Sequence, residues 1–292
     1  TTAGSNAGYR GRAAAQEIGI YGYEEGDVST DVTLSSVYNK PGTDQLQVYW
    51  DGADYNSYPG AGTTVTDISG NSASGTLNGG VGFDSEYKAF TFDGSNDTIS
   101  ATYPSSAGDN TFSVSMWVRR DSNGGIYCPF FLGDAATGEG IGLDIYDNGN
   151  VYWFVFGGKN FLWSGVSQEW FPVGVWTHVA VSHTAGTDFV NLNKVWINGI
   201  DVSTGRGLSN SNTANLSLDA NDALTLGARV NNNYLNGSIA NFRIFSKALN
   251  ADQVKELYDY QKDYFLGSRS SMTLYRGNLG LGVAEPTSRL EI

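Results

Sequence analysis

Apolar and polar residues alternate with a period of two through much of the middle of the chain. From Thr111 to Arg120, Phe112, Val114, Met116 and Val118 alternate with Thr111, Ser113, Ser115 and Trp117, the pattern of a half-buried strand. From Trp176 to His183, Val179 and Val181 share one face, and Trp176, His178 and Ala180 share the other. Both faces are largely apolar, which suits a strand inside a sandwich. Val195–Ile197 and Ile200–Val202 flank Asn198-Gly199; this pair accepts positive φ at both central positions of a type I′ turn, so a hairpin is predicted. Ala223–Gly227 and Ile239–Phe245 supply two more strands. The period then changes. Asn250 with Gln253 three residues on forms a capping-box pair, Leu249 and Val254 are placed as a hydrophobic staple, and Val254, Leu257, Tyr258 and Gln261 mark one face. A helix over about 250–264 is predicted to close the sandwich.

The flanks read differently. Residues 1–45 carry no sustained period, apart from a weak helix and strand signal at Ala13–Ala15 and Ile18–Gly22, and suit an arm or stalk connection. Residues 46–266 hold the dense strand pattern. In 267–292, Gly277-Asn278-Leu279-Gly280-Leu281-Gly282-Val283 alternates glycine with aliphatic residues. Such a run cannot fill a core alone and suits a β segment where backbones of neighbouring chains come close.

Composition sharpens this picture at three points. The chain has 292 residues, 38 of them Gly and 6 Pro, with Asn, Ser, Asp and Thr between short apolar runs, as an all-β chain with many turns requires. The formal net charge is −13, which repels phosphate backbones, argues against nucleic acid and leaves carboxylates for Ca²⁺. Cys128 is the only cysteine, so no intrachain disulfide forms, and a buried thiol is the expectation for it. No apolar run approaches the ~20 residues of a membrane-spanning helix. The chain begins at Thr1 without the pattern of a signal peptide, as expected of a trimmed, processed or partly represented protein.

Five segments, in order, resemble the concanavalin A-like, laminin G-like family: Asp67-Ile68-Ser69-Gly70-Asn71, Phe92-Asp93-Gly94-Ser95-Asn96-Asp97, Phe112–Arg119, Trp176-Thr177-His178-Val179-Ala180, and Phe245 to Val254 with its Ala248-Leu249. The resemblance covers roughly residues 46–260. It implies a two-sheet antiparallel β-sandwich of the concanavalin A-like jelly-roll type, with a short C-terminal helix and extended N- and C-terminal arms. The last segment, 277–290, resembles a Gly-Asn-Val-Gly-Ile-Gly-Thr-x-x-Pro-x-x-Lys-Leu pattern of phage tail fibres and large-DNA-virus surface proteins, with Leu, Val283-Ala284 and Arg289 as departures. That likeness implies a homotrimer, often completed by a C-terminal chaperone that is cleaved off.

Candidate chemistry follows from these placements. The resemblance implies one Ca²⁺ held by loop oxygens. Asp67 and Asn71 in one turn, with Asn241 where relatives place an Asp, are the metal candidates, against a plain Asx turn at Asp67. Asp93, Asn96 and Asp97 are a second candidate, most simply a hairpin turn. For glycan contact, Trp163 in the Gly-rich stretch 157–165 is the leading stacking candidate. Trp153, facing away from Tyr152, Phe154 and Phe156, is the next, while core packing is the alternative for each aromatic. Arg229 and Asn231–Asn233, with Asn232 at the centre, join Tyr234 in a polar loop suited to hydrogen bonds with sugar hydroxyls. Catalysis is the rival. Asp144 and Asp147, three apart, fall on opposite strand faces, Glu139 reads as a loop residue, and no Glu-x-Asp-x-Glu arrangement of a sandwich glucanase is present. His178 and His183, five apart, also fall on opposite faces, which argues against a shared metal. Asn96, Asn215 and Asn236 head Asn-x-Ser/Thr sequons.

The resulting expectation is a non-enzymatic virion-surface or fibre protein at the particle or cell exterior, with no membrane insertion. It would bind a host glycan or glycoprotein weakly per site and gain strength from several copies. Its N-terminal arm would contact other virion proteins. The alternatives are a capsid-decorating or protein-binding module and a polysaccharide-degrading hydrolase.

Overall fold

The computed structural model describes residues 45–104, 111–158, 160–186, 189–204, 207–208, 216–219, 222–230 and 232–267, and the short strands at 273–275, 278–280 and 290–291. The described residues all belong to one compact unit, Thr43–Ile292. The arm expected over 1–45 lies outside the described residues except for Gln45, as do Asn215 and Asn231.

Among the described residues the order is β1 (Leu46–Trp50), β2 (Thr64–Val65), β3 (Gly75–Asn78), β4 (Gly82–Asp84), β5 (Ala89–Asp93), β6 (Thr98–Thr102) and β7 (Phe112–Arg120). There follow β8 (Ile126–Gly133), β9 (Gly140–Tyr146), β10 (Val151–Val155), β11 (Asn160–Trp163), α1 (Ser167–Trp170) and β12 (Thr177–His183). Next are α2 (Phe189–Leu192), β13 (Asn193–Ile197), β14 (Ile200–Asp201), β15 (Gly207–Leu208), β16 (Ala223–Leu226) and β17 (Asn236–Phe245). The last elements are α3 (Ala251–Leu266), β18 (Thr273–Tyr275), β19 (Asn278–Gly280) and β20 (Leu290–Glu291).

Two antiparallel sheets form the sandwich. One runs β14-β13-β12-β7-β17-β5-β4, with β1 paired to the second half of β17; the other runs β15-β11-β10-β9-β8-β16-β6-β3-β2. Alternate residues of both sheets, among them Val114, Met116, Val179, Leu143, Trp153 and Leu226, fill one apolar core between them, as two packed layers require. The Asn198-Gly199 turn joins β13 to β14 with φ of 50° and 77°, matching the predicted type I′ hairpin. In the tail, β18 and β19 pair antiparallel and β19 and β20 parallel, a small three-stranded sheet within the chain.

The outer face of the β12–β7–β17 sheet is not left to solvent. Its central strands carry Trp117, Ala180 and Ala240 outward, and α3 lays Val254, Leu257 and Phe265 over that face. Phe265 stacks on Trp117 at 4.5 Å and meets Trp176 at 5.0 Å. This explains why β12 is apolar on both faces. It also corrects the half-buried reading of β7, whose residues are almost all buried. Ser113 and Ser115, the polar half of that alternation, stay satisfied inside. Ser113 Oγ donates to the Lys247 carbonyl and accepts from the Leu249 amide, and Ser115 Oγ lies 3.0 Å from His178 Nε2. Burial of a polar group costs little once such partners exist. The capping box at α3 forms as read: Asn250 Oδ1 accepts from the Gln253 amide at 2.9 Å, and Gln253 Oε1 accepts from the Asn250 amide at 3.0 Å.

Candidate functional site

The nine-stranded sheet has no helix among the described residues packed over its outer face, so that face is where the fold presents side chains. The period of two decides which ones. On β10, Val151, Trp153 and Val155 point into the core, and Tyr152 and Phe154 point out, with Phe156 beyond the strand on the same side. On β9, Ile141, Leu143 and Ile145 point in, which leaves Asp144 and Tyr146 outward. On β6 and β16, Ile99, Leu224 and Leu226 point in, leaving Thr98, Ser100 and Thr225 outward.

Residues 229–230 and 232–234 fold onto this face. Arg229 and Asn232 exchange backbone hydrogen bonds of 2.8 and 2.9 Å, and Val230 and Asn233 take positive φ to close the turn. Arg229 Nη1 then reaches the Asp144 carboxylate at 2.8 Å, Asn233 Nδ2 approaches the same oxygen at 3.4 Å, and the guanidinium lies 5.4 Å from the Phe154 ring. Asp144 is almost fully buried beside Cys128, Phe131 and Phe154. Burial pushes its carboxyl up to about 6 even though Arg229, Cys128 and Asn233 pull the other way. The Cys128 thiol is likewise driven up, first by burial and then by the Asp144 charge, and is no nucleophile.

Beside this anchored loop lies a cleft of about 450 Å³, lined by Asn78, Asn96, Thr98, Ser100, Asp134, Thr225, Val230 and Tyr234 among others. Asn78 Nδ2 donates to Ser100 Oγ at 3.0 Å and approaches Thr98 Oγ1 at 3.4 Å. Because those oxygens accept from Asn78, their own hydrogens are left to donate outward. Among the described residues no hydrogen bond engages the Tyr234 hydroxyl or Thr225 Oγ1. The cleft therefore offers several hydroxyls, amides and one aromatic ring on a rigid sheet, with Asp134 as the charged residue in its lining.

The structure brings together part of the site read from sequence and disperses the rest. Tyr234 lines the cleft, and exposed Asn232 accepts from Arg229 Nε at 3.4 Å beside it. Arg229 acts as a brace, with Nη1 on Asp144 and Nε on Asn232. Trp153 is wholly buried, with Nε1 donating to Asn193 Oδ1 at 2.9 Å. Trp163 ends β11 instead of standing in a loop. It is buried against Phe161 and Trp170, and its Nε1 donates to the Val202 carbonyl. Neither indole can stack on a sugar, because each is a core residue whose one donor is used internally. The sequence reading missed Asn78, Thr98, Ser100 and Thr225; their outward positions on adjacent strands are the signal, and only sheet order brings them together.

The metal candidates also come apart. Asp67 Oδ1 accepts from the amides of Tyr49 and Ser69, and Oδ2 from Ser69 Oγ and the Ala73 amide, at 2.7–3.1 Å. That is an Asx turn tied to β1, with four donors occupying the carboxylate. Asn71 donates to the Leu46 carbonyl at 2.7 Å. Asn241 lies elsewhere, its Nδ2 on Asp51 Oδ2 at 2.9 Å. The three do not form one ligand set, and among the described residues no group of three His, Cys, Asp or Glu side chains is arranged for a metal. Asp93 and Asp97 brace their hairpin through backbone amides. His178 is held neutral by burial, its pKa lowered to about 3, and His183 is lowered by the same cause while bonding Asn193 Oδ1. Both are structural.

Comparison with known proteins agrees with this architecture. The family model described as the concanavalin A-like lectin/glucanases superfamily matches residues 93–255. The chain belongs to this superfamily. Solved structures similar to this chain include the botulinum neurotoxin serotype D binding domain, at 18% identity and TM-score 0.55, covering 75% of this chain and 52% of that one. The serotype D ligand-binding domain in complex with N-acetylneuraminic acid aligns at 19% identity and TM-score 0.55, again over 75% and 52%. The binding domain of botulinum neurotoxin DC in complex with rat synaptotagmin II aligns at 17% identity and TM-score 0.53, over 75% and 52%. The chain spans about half the length of these structures, and at such identities the likeness is one of fold. No curated protein sequence matches the chain.

Proposed function

We propose that this protein is a glycan-binding module of a virion surface or fibre, and that the cleft beside Tyr234 is where the sugar sits. The observation that carries the reading is the set of hydroxyls with hydrogens left to donate around a half-buried tyrosine, beside a loop that the Arg229–Asp144 pair fixes in place. Sugar hydroxyls pair with such groups, and Tyr234 supplies an apolar face for their C–H edges. The lining carries Asp134 and, among the described residues, no Lys or Arg, so the fitting ligands are uncharged oligosaccharides. A carboxylate-bearing sugar would meet an acidic wall and no cation.

The proposed activity is binding: among the described residues the cleft lining holds one carboxylate, Asp134, where glycoside cleavage uses a pair. The similar domains solved with N-acetylneuraminic acid and with synaptotagmin II support a cell-surface partner in general. The virion and trimer parts rest on the resemblance of residues 277–290 alone. Among the described residues no helix is long and apolar enough to cross a membrane. A glycan array probed with the full chain tests the proposal. Neutral glycans are expected to bind, with Tyr234→Ala weakening them at least tenfold at an unchanged melting temperature. A blank array, or binding indifferent to Tyr234, overturns it.

A further inference from the structure

A second cavity, of about 320 Å³, lies on the opposite sheet beneath α3, away from the proposed glycan cleft. Asp51 and Ala53 after β1, Lys88 before β5, Asn241 of β17 and Gln261 of α3 contribute to its wall, together with the aromatic rings of Tyr87, Tyr260, Tyr264 and Phe265. Two atoms there need an explanation. Asn241 is 2% exposed, and its Oδ1 is buried without a hydrogen-bond partner; Gln261 Oε1 is buried and unpartnered in the same way. An orphaned buried acceptor is destabilising, and two residues lining this one cavity each carry one.

The orientation of Asn241 is set by its neighbour. Nδ2 donates to Asp51 Oδ2 at 2.9 Å, so turning the amide over would set two acceptors against each other. The backbone keeps the side chain there as well. The register of β17 on β7 shifts between Ala240 and Arg243, and Asn241 takes a φ of 51°, a left-handed conformation that Asn tolerates better than most residues.

We infer that this cavity binds a primary ammonium group carried on a short apolar stem, the chemistry of a lysine side chain or an alkylamine. An ammonium has three N–H donors, and three residues lining the cavity carry acceptors: Asn241 with its unpartnered Oδ1, Gln261 with its unpartnered Oε1, and Asp51 with its carboxylate. The aromatic wall suits both the stem and the charge. Ca²⁺ fits less well, because it takes six to eight oxygens. Asp51 is the acidic residue in this lining, and it already accepts from Tyr49 Oη, the Ala53 amide and Asn241. Exposed Lys88 is the chain's own cation in this lining. The net charge of −13 favours the approach of a cationic ligand.

The test is a titration of the ¹⁵N-labelled full chain, following the side-chain amide resonances of Asn241 and Gln261. n-Butylammonium chloride, 1-butanol and CaCl₂ are the separate probes. Saturable shifts with n-butylammonium, at least tenfold weaker binding of 1-butanol, and at least tenfold weaker n-butylammonium binding in Gln261→Leu are expected. Equal response to 1-butanol, saturation by CaCl₂ alone, undiminished binding in the variant, or no shift of either amide with n-butylammonium overturns the inference. The three-probe comparison on the unmodified chain stands even if the variant folds poorly.

Discussion

Replacing Asp144 with Asn separates two opposing effects at the brace beneath the 229–234 loop. The Asp144–Arg229 contact at 2.8 Å favours the ionised carboxyl, while burial disfavours it. Burial wins, raising the carboxyl from its ordinary 3.8 to about 6. The folded state therefore holds the Asp144 proton more tightly than the unfolded chain does, and ionisation penalises folding. That penalty is complete above a pH of about 6 and is relieved as the pH falls from there towards 3.8. At about 1.4 kcal/mol per pH unit, the gap corresponds to about 3 kcal/mol. Urea unfolding of the wild type and Asp144→Asn at about pH 7.5 and about pH 3.5 measures it, the variant cancelling the other carboxylates common to both. The stability difference is expected to move by about 2–3 kcal/mol in favour of the wild type as the pH falls. A flat difference, or one moving in favour of the variant, would mean that the Arg229 charge outweighs burial, and the reasoning fails.

Three further substitutions probe the frame that presents the cleft. Phe265→Ala, which empties the stack on Trp117 and Trp176, is expected to cost about 3 kcal/mol in urea unfolding and to reduce the near-ultraviolet dichroism of the tryptophans. Asn250→Ala removes the capping box of α3 and is expected to cost about 1 kcal/mol in the same assay. Trp153→Phe deletes a buried donor to Asn193 Oδ1. It is expected to cost about 1–3 kcal/mol while glycan binding by the folded protein stays unchanged, in contrast to Tyr234→Ala.

Local signals were readable in the sequence wherever the physics is local. The strand period, the left-handed Asn198-Gly199 turn and the Asn250–Gln253 capping box depend on residues a few positions apart, and each appears in the structure. Burial did not follow so directly. Period two says that Trp153 and Tyr152 face opposite sides of β10, but not which side is the core; sheet packing decides that Trp153 is inside. The outer face of β7 is dry only because α3 returns to cover it with Phe265. The bracing role of Arg229 was hidden because its partner, Asp144, lies 85 positions away. Asp67 looked like a ligand because its Tyr49 and Ala73 donors come from outside its own turn. The cleft itself is a product of strand order: β3, β6 and β16 are neighbours in the sheet, yet their outward hydroxyls and amides are scattered along the chain.

The central claim is that the outer face of the nine-stranded sheet carries a sugar site at Tyr234. Mapping backbone amide shifts while titrating the full chain with the strongest-binding glycan from the array tests it most directly. Shifts concentrated at Asn78, Thr98, Ser100, Thr225 and Tyr234 are the predicted result. Shifts confined to the opposite sheet, or scattered without a focus, would contradict it.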